Sequence, residues 1–118
     1  LKKIKVSARD FEVEAELLEE KRPKTCRKIW ENLPFEGKVS IYKEEIYFDI
    51  PVEIEYEEAT PKTEKGDVSY WPEGPAFCIF YGESQPVSSV NTFAKMGDDV
   101  EKFRRLDDGE KITVEKIG

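Results

Sequence analysis

Histidine is absent from the whole 118-residue chain. Ser-His-Asp and Cys-His nucleophile pairs, His-containing zinc sites and the usual protonation switch near neutral pH are therefore excluded. Cysteine is scarce: Cys26 and Cys78 cannot make a structural zinc site alone, and no metal or other cofactor is expected. The two thiols fall in different kinds of element and are read as reduced, not bridged. No apolar run approaches the length of a bilayer span, and the opening Leu1-Lys-Lys-Ile-Lys lacks the apolar stretch of a signal peptide. The expected location is the cytoplasm. Positive charge is in deficit, 19 Lys and Arg against 26 Asp and Glu, for a net charge of −7. Phosphate would mostly be repelled, so nucleic acid and anionic membrane are set aside as partners.

What remains fits one domain over residues 1–118, long enough to build an apolar core without metal or disulfide staples. Charged residues make up 38% of the chain, compatible with ion-pair networks of a thermophilic source or with a well-solvated surface. The stretch around which the chain is organised runs from Gly66 to Gly82, where Pro72-Glu-Gly-Pro75 separates two runs rich in aromatic and β-branched residues. Two prolines three residues apart forbid a helix, so this is a hairpin. Its second arm, Ala76 to Tyr81, has almost no polar residue and predicts a strand covered on both faces.

Alternation over Lys2 to Ala8 and Phe11 to Leu17 predicts two half-buried strands joined by a tight turn at Arg9-Asp10. Pro23 opens a helix with Cys26, Ile29, Trp30 and Leu33 on one face, ending at Asn32 to Pro34. Val39 and Ile41 mark a strand, Lys43-Glu44 a turn, and Ile46, Phe48 and Ile50 the next strand. Pro51 bends or bulges the chain, after which Val52, Ile54 and Tyr56 continue an alternating strand with Glu53, Glu55, Glu57 and Glu58 as a solvated face. Ser89 to Ala94 and Lys111 to Lys116 predict further strands. Between them Asp98 is the expected cap of a short helix, with Glu101 its reciprocal partner, Gly109 its exit and Val100, Phe103 and Leu106 its inner face. About eight strands and two helices imply a mainly β fold, a closed or nearly closed antiparallel barrel capped by helices. The expected core includes Val39, Ile41, Ile46, Val68, Cys78, Phe80, Val90, Phe103 and Ile112.

Three segments in order, Glu44-Glu-Ile-Tyr-Phe-Asp-Ile-Pro51, Gly66 to Gly82 and Ser88-Ser-Val-Asn91, resemble the small prokaryotic cyclophilin-like family of undetermined function. The resemblance runs from about Cys26 to the end and more weakly through the first hairpin. It implies the cyclophilin-type closed antiparallel eight-stranded β-barrel with two short capping α-helices. Prolyl-isomerising cyclophilins carry a catalytic arginine in a Phe-His-Arg strand ahead of Ile-Ile-Pro. Matching the prolines at Pro51 puts Phe48 at the arginine's place and Tyr47 at the histidine's. Their Gln-Phe-Phe strand looks like Phe77-Cys78-Ile79 here, an apolar wall without its glutamine. A shared fold does not carry the activity with it, and no prolyl isomerase activity is expected.

Odd-numbered positions of the central arm point one way, so Tyr47, Trp71, Phe77, Ile79, Tyr81 and Phe93 are expected to converge on one outer face, beside Tyr70. Glu45, Asp49, Gln85 and Asn91 are the polar groups in reach of such a groove. Large aromatics beside an apolar wall suit a small-molecule or peptide pocket; ordinary core is the competing account of each of them. Catalytic residues stay unassigned. Glu45 and Asp49 are candidate acid and base only if their environments differ, and solvated hairpin carboxylates are the plainer account. Cys78 lacks a neighbouring base and reads as core, and Asp67, Asp107 and Asp108 read as turn residues. The expected role is a binding module for a peptide-like or apolar small ligand. The alternatives are an enzyme or enzyme subunit acting on amide or lactam bonds, by analogy with other cyclophilin-like barrels, and a residual isomerase.

Overall fold

The computed structural model of the chain describes residues 2–117. Nine strands, β1 (Lys3–Ala8), β2 (Phe11–Leu17), β3 (Phe35–Lys38), β4 (Ser40–Tyr42), β5 (Glu45–Asp49), β6 (Asp67–Trp71), β7 (Ala76–Phe80), β8 (Asn91–Met96) and β9 (Lys111–Ile117), form one antiparallel sheet. Their order is β3-β9-β1-β2-β8-β6-β7-β5-β4. The two outer strands, β3 and β4, are consecutive in the chain, so the sheet curls until its edges meet at Val39. That residue donates to Glu110 O at 2.9 Å and accepts from Gly109 N at 2.7 Å. Across the seam Gly37 lies so close to Phe48 that an added Cβ would stand 2.8 Å from the ring. The result is a nearly closed barrel.

The interior is centred on Phe77, whose ring lies 5.2 Å from Phe48, 5.6 Å from Phe93 and 6.4 Å from Phe35. Rings from four strands thus meet in one place, in the edge and tilted arrangements that aromatic quadrupoles favour. The helix α1 (Pro23–Asn32) plugs one end with Cys26 and Ile29 buried and Trp30 and Leu33 partly so, as its spacing predicts. A 3₁₀ helix over Asp98–Arg105 covers β2 with Val100 and Phe103, and Phe103 meets Phe11 edge-on at 5.3 Å.

Four expectations need correction. The strand through Val39 and Ile41 is two strands, because β3 bonds to β9 and β4 to β5, and Ile41 is 39% exposed instead of core. The stretch Val52 to Tyr56 is not a strand. Val52 and Ile54 are buried, and the Tyr70 hydroxyl takes the place of a ladder, donating to Val52 O at 2.7 Å and accepting from Ile54 N at 3.0 Å. Asp98 does not cap its helix: Gly97 holds that position, the helix is 3₁₀, and Glu101 turns to Arg104 and Lys65. Glu57 belongs to no solvated face; it bonds to the first turn of α1.

Candidate functional site

Strand β7 is buried along its whole length, with β5 and β6 on either side of it. Register decides which face each residue joins. Phe77 pairs with Phe48 and Ile79 with Ile46, all inside the barrel, while Cys78 pairs with Tyr47 and with Ser69 on the outside. Ala76, Cys78 and Phe80 form a second, outer apolar layer, against which Tyr47 and Trp71 pack. Over it the chain from Gly82 to Val90 folds back, pinned by Trp71 Nε1 donating to Ser88 Oγ at 2.6 Å and by Glu44 N donating to Ser84 Oγ at 3.0 Å.

Between this segment and the outer layer a crevice of about 60 Å³ opens, lined by Tyr42, Glu45, Tyr47, Trp71, Pro86, Val87 and Val90. Tyr47 and Trp71 stand edge to face, ring centres 6.5 Å apart and planes at 79°. Gly74, in the β6–β7 turn, leaves room for the Trp71 ring, which a Cβ there would strike. Glu45 is only 6% exposed and joins no salt bridge among the described residues. Burial pushes its carboxyl up to about 7, and a bond from the Cys78 thiol acts in the opposite sense. Burial first, then the Glu45 charge, push the thiol well above its ordinary range, so Cys78 is no nucleophile. Cys26 is likewise buried and free, its thiol pushed up to about 11 chiefly by burial.

Of the expected groove residues, the fold brings Glu45, Tyr47 and Trp71 together. Phe77, Ile79 and Phe93 are 0% exposed in the barrel interior, where the odd-numbered positions of β7 point inward. Tyr70 is interior too. Asn91 is buried but structural: its Oδ1 accepts from Glu57 N at 3.0 Å and its Nδ2 donates to Glu55 O at 2.9 Å and Thr25 Oγ1 at 3.2 Å. Tyr81 is buried beyond the crevice, donating to Lys43 O at 3.2 Å beneath the Arg104 guanidinium. Asp49 is exposed and outside the lining. Gln85 stitches its loop to Thr63. Tyr42, Pro86, Val87 and Val90 were missed, although Tyr42 faces Glu45 directly across the two-residue turn at Lys43-Glu44. A second trough, between α1 and the 53–57 segment, is lined by Lys24, Arg27 and Lys28 opposite Glu53, Glu55 and Glu57. Its charges offset one another at the surface. Among the described residues no cluster of His, Cys, Asp or Glu is arranged to hold a metal, and no helix is long and apolar enough to cross a membrane.

The barrel, its two helices and its outer crevice can be set beside known proteins. A family model described as Cyclophilin-like matches residues 2–115. The chain belongs to the cyclophilin-like family. The solution structure of the hypothetical protein AF2241 from Archaeoglobus fulgidus is similar with a TM-score of 0.84 and 31% identity, over 98% of this chain and 95% of that one. McbB, solved in complex with tryptophan, is similar with a TM-score of 0.80 and 14% identity, over 98% of this chain and 45% of its own. At that identity the likeness is one of fold. No curated protein matches. Within this cyclophilin-like barrel, Phe48, the residue expected at the place of the isomerases' arginine, faces the interior, and among the described residues neither lysine nor arginine lines the crevice.

Proposed function

We propose that this cyclophilin-like protein is a binding module, taking a small apolar or peptide-like group into the crevice between Tyr47, Trp71 and the 82–90 segment. The observation that supports this is the convergence of Tyr42, Tyr47 and Trp71 above a buried apolar layer, with one carboxylate, Glu45, in the lining. The space is far below the ~300 Å³ at which sites for drug-sized ligands begin, so a side chain or compact head group is the fitting size. Prolyl isomerisation is not part of this reading. Lowering a barrier of ~18–20 kcal/mol calls for a donor near the prolyl amide, and the lining offers no cation for it. Fragment titration followed by ¹⁵N–¹H correlation spectra tests the site, with tryptophan, the molecule bound in McbB, included in the set. Shifts confined to residues 42–47, 69–71, 76–80 and 84–92 are expected; shifts clustered in the α1 trough would overturn the choice of face.

One observation favours a second reading, an enzyme acting on amide or lactam bonds. The Glu45 carboxyl, pushed up to about 7, is suited to exchange a proton at neutral pH, as a general base must. Turnover of such a substrate that is lost in Glu45→Gln, with fragment binding retained, would establish it.

A further inference from the structure

We infer that the crevice recognises a methylated ammonium head group, held between Tyr47 and Trp71 with the Glu45 carboxylate as its counter-charge; this rests on the binding role proposed above. Two rings with centres 6.5 Å apart and planes at 79° form a corner of the crevice, and Tyr42 lines the same space from the neighbouring strand. A cation is attracted to the negative face of such rings, most strongly to tryptophan and more so where water is excluded. Trp71 has its N–H committed to Ser88, so a ligand in the crevice meets its ring and not its donor.

Glu45 supplies the second, independent observation. It is nine-tenths buried, lines the crevice and has no lysine or arginine partner among the described residues. A buried carboxylate without a counter-charge is costly, and a cation brought by the ligand removes that cost. An anion would be repelled. A neutral apolar group would leave Glu45 to be neutralised by a proton. A primary ammonium could donate to Glu45 and to the Tyr42 and Tyr47 hydroxyls, but Pro86, Val87 and Val90 offer no side-chain acceptor on their side of the crevice for its remaining N–H groups. Methyl groups need none and pack against proline, valine and ring faces. The chemistry therefore favours a trimethylated or dimethylated nitrogen, on a free metabolite or on a modified lysine side chain.

The test uses the intact chain at pH 8, where Glu45 is mainly ionised. Choline is compared with 3,3-dimethylbutan-1-ol, its uncharged carbon analogue, by ¹⁵N–¹H spectra that include the Trp71 indole resonance. Choline is expected to bind at residues 42–47, 71 and 86–90 at least about tenfold more tightly than the analogue. In Glu45→Gln that preference should vanish while the analogue still binds. Tyr47→Leu, which keeps an apolar wall without a π face, is the second variant and should also lose the preference. A short unstructured peptide carrying trimethyllysine, titrated in parallel, separates the sources: tighter binding than choline assigns a modified side chain, weaker binding a free metabolite. If the analogue binds these residues as tightly as choline, the ammonium inference fails and the apolar crevice stands. If neither compound nor any other fragment perturbs them, the binding role fails as well.

Discussion

Glu57 caps the first turn of α1 from 32 residues away, its carboxylate accepting from Thr25 N at 2.8 Å and from Thr25 Oγ1 at 2.7 Å. The other carboxylate oxygen accepts from Lys24 N at 3.0 Å. Arg22, the residue at the usual cap position, makes no side-chain cap and instead donates to Glu57 O, Glu58 O and Thr92 O. The irregular 52–58 segment is thus fastened to the helix from both sides. This is where the helix finds acceptors for its free N–H groups.

Glu57→Ala is expected to destabilise the fold by about 0.5–2 kcal/mol, the range for loss of a helix cap. Burial acts to raise the Glu57 pKa, but the bonds from Thr25 and Lys24 outweigh it and hold the carboxyl below its usual range. Its contribution is therefore present above the unfolded carboxylate pKa and lost as pH falls through the lower folded value. Urea unfolding of both forms at pH 7 and at pH 3 checks this: the difference should shrink at the lower pH.

Glu45 has the opposite sign. Its folded pKa, about 7, lies above the ordinary value of 4.5, so the native state holds a proton that the unfolded chain releases between those values. Stability from this group falls as pH rises through that window and stays low above it. The displacement corresponds to about 3 kcal/mol at most. The groups around it are the Cys78 thiol, itself neutral here, and the phenols of Tyr42, Tyr47 and Tyr81. Glu45→Gln should accordingly be more stable than the parent at pH 8 and close to it at pH 4, as measured by denaturant midpoints. A variant less stable at pH 8 would show that Glu45 is ionised and well paired in the fold.

Much of the fold was legible because its strands obey one period. The turns at Arg9-Asp10 and Lys43-Glu44, the helix opened by Pro23 and the hairpin around Pro72 to Pro75 all fall where local chemistry places them. The candidate site was only half legible. In β7 every residue is apolar and every residue is buried, so alternation carried no information about which side faces the barrel interior. Pairing would have supplied it: with Phe48 on the inner face, the residue opposite, Phe77, is inner too, and Cys78 is outer with Tyr47. Asn91 and Tyr70 misled for a related reason. A polar atom on a mostly apolar strand signals an unmet hydrogen bond, and here the partners are the backbone groups of an irregular segment, not a ligand.

Gly74→Ala tests how Trp71 is held. A Cβ there meets the indole ring, so the ring must shift, which disturbs its bond to Ser88. The expected result is a shifted Trp71 indole N–H resonance and fragment affinity reduced by about tenfold, against a loss of stability of only about 1 kcal/mol. Unchanged affinity with a displaced indole signal would remove Trp71 from the binding surface.

Phe48→Arg separates a missing side chain from a different site. If this protein were an isomerase lacking only its arginine, restoring that residue would be expected to raise activity on Xaa-Pro peptides. Phe48, however, lies inside the barrel, 3% exposed, against Phe77 at 5.2 Å and against Gly37 at the seam. A guanidinium there would be buried without a partner and would remove a ring from the central cluster, a loss of at least about 3 kcal/mol. The expected outcome is a strongly destabilised or unfolded chain with no isomerase activity, read by circular dichroism melting and a protease-coupled assay. A folded variant with new turnover would mean that position 48 faces outward, and with it the registers of β5 and β7 would have to be reassigned.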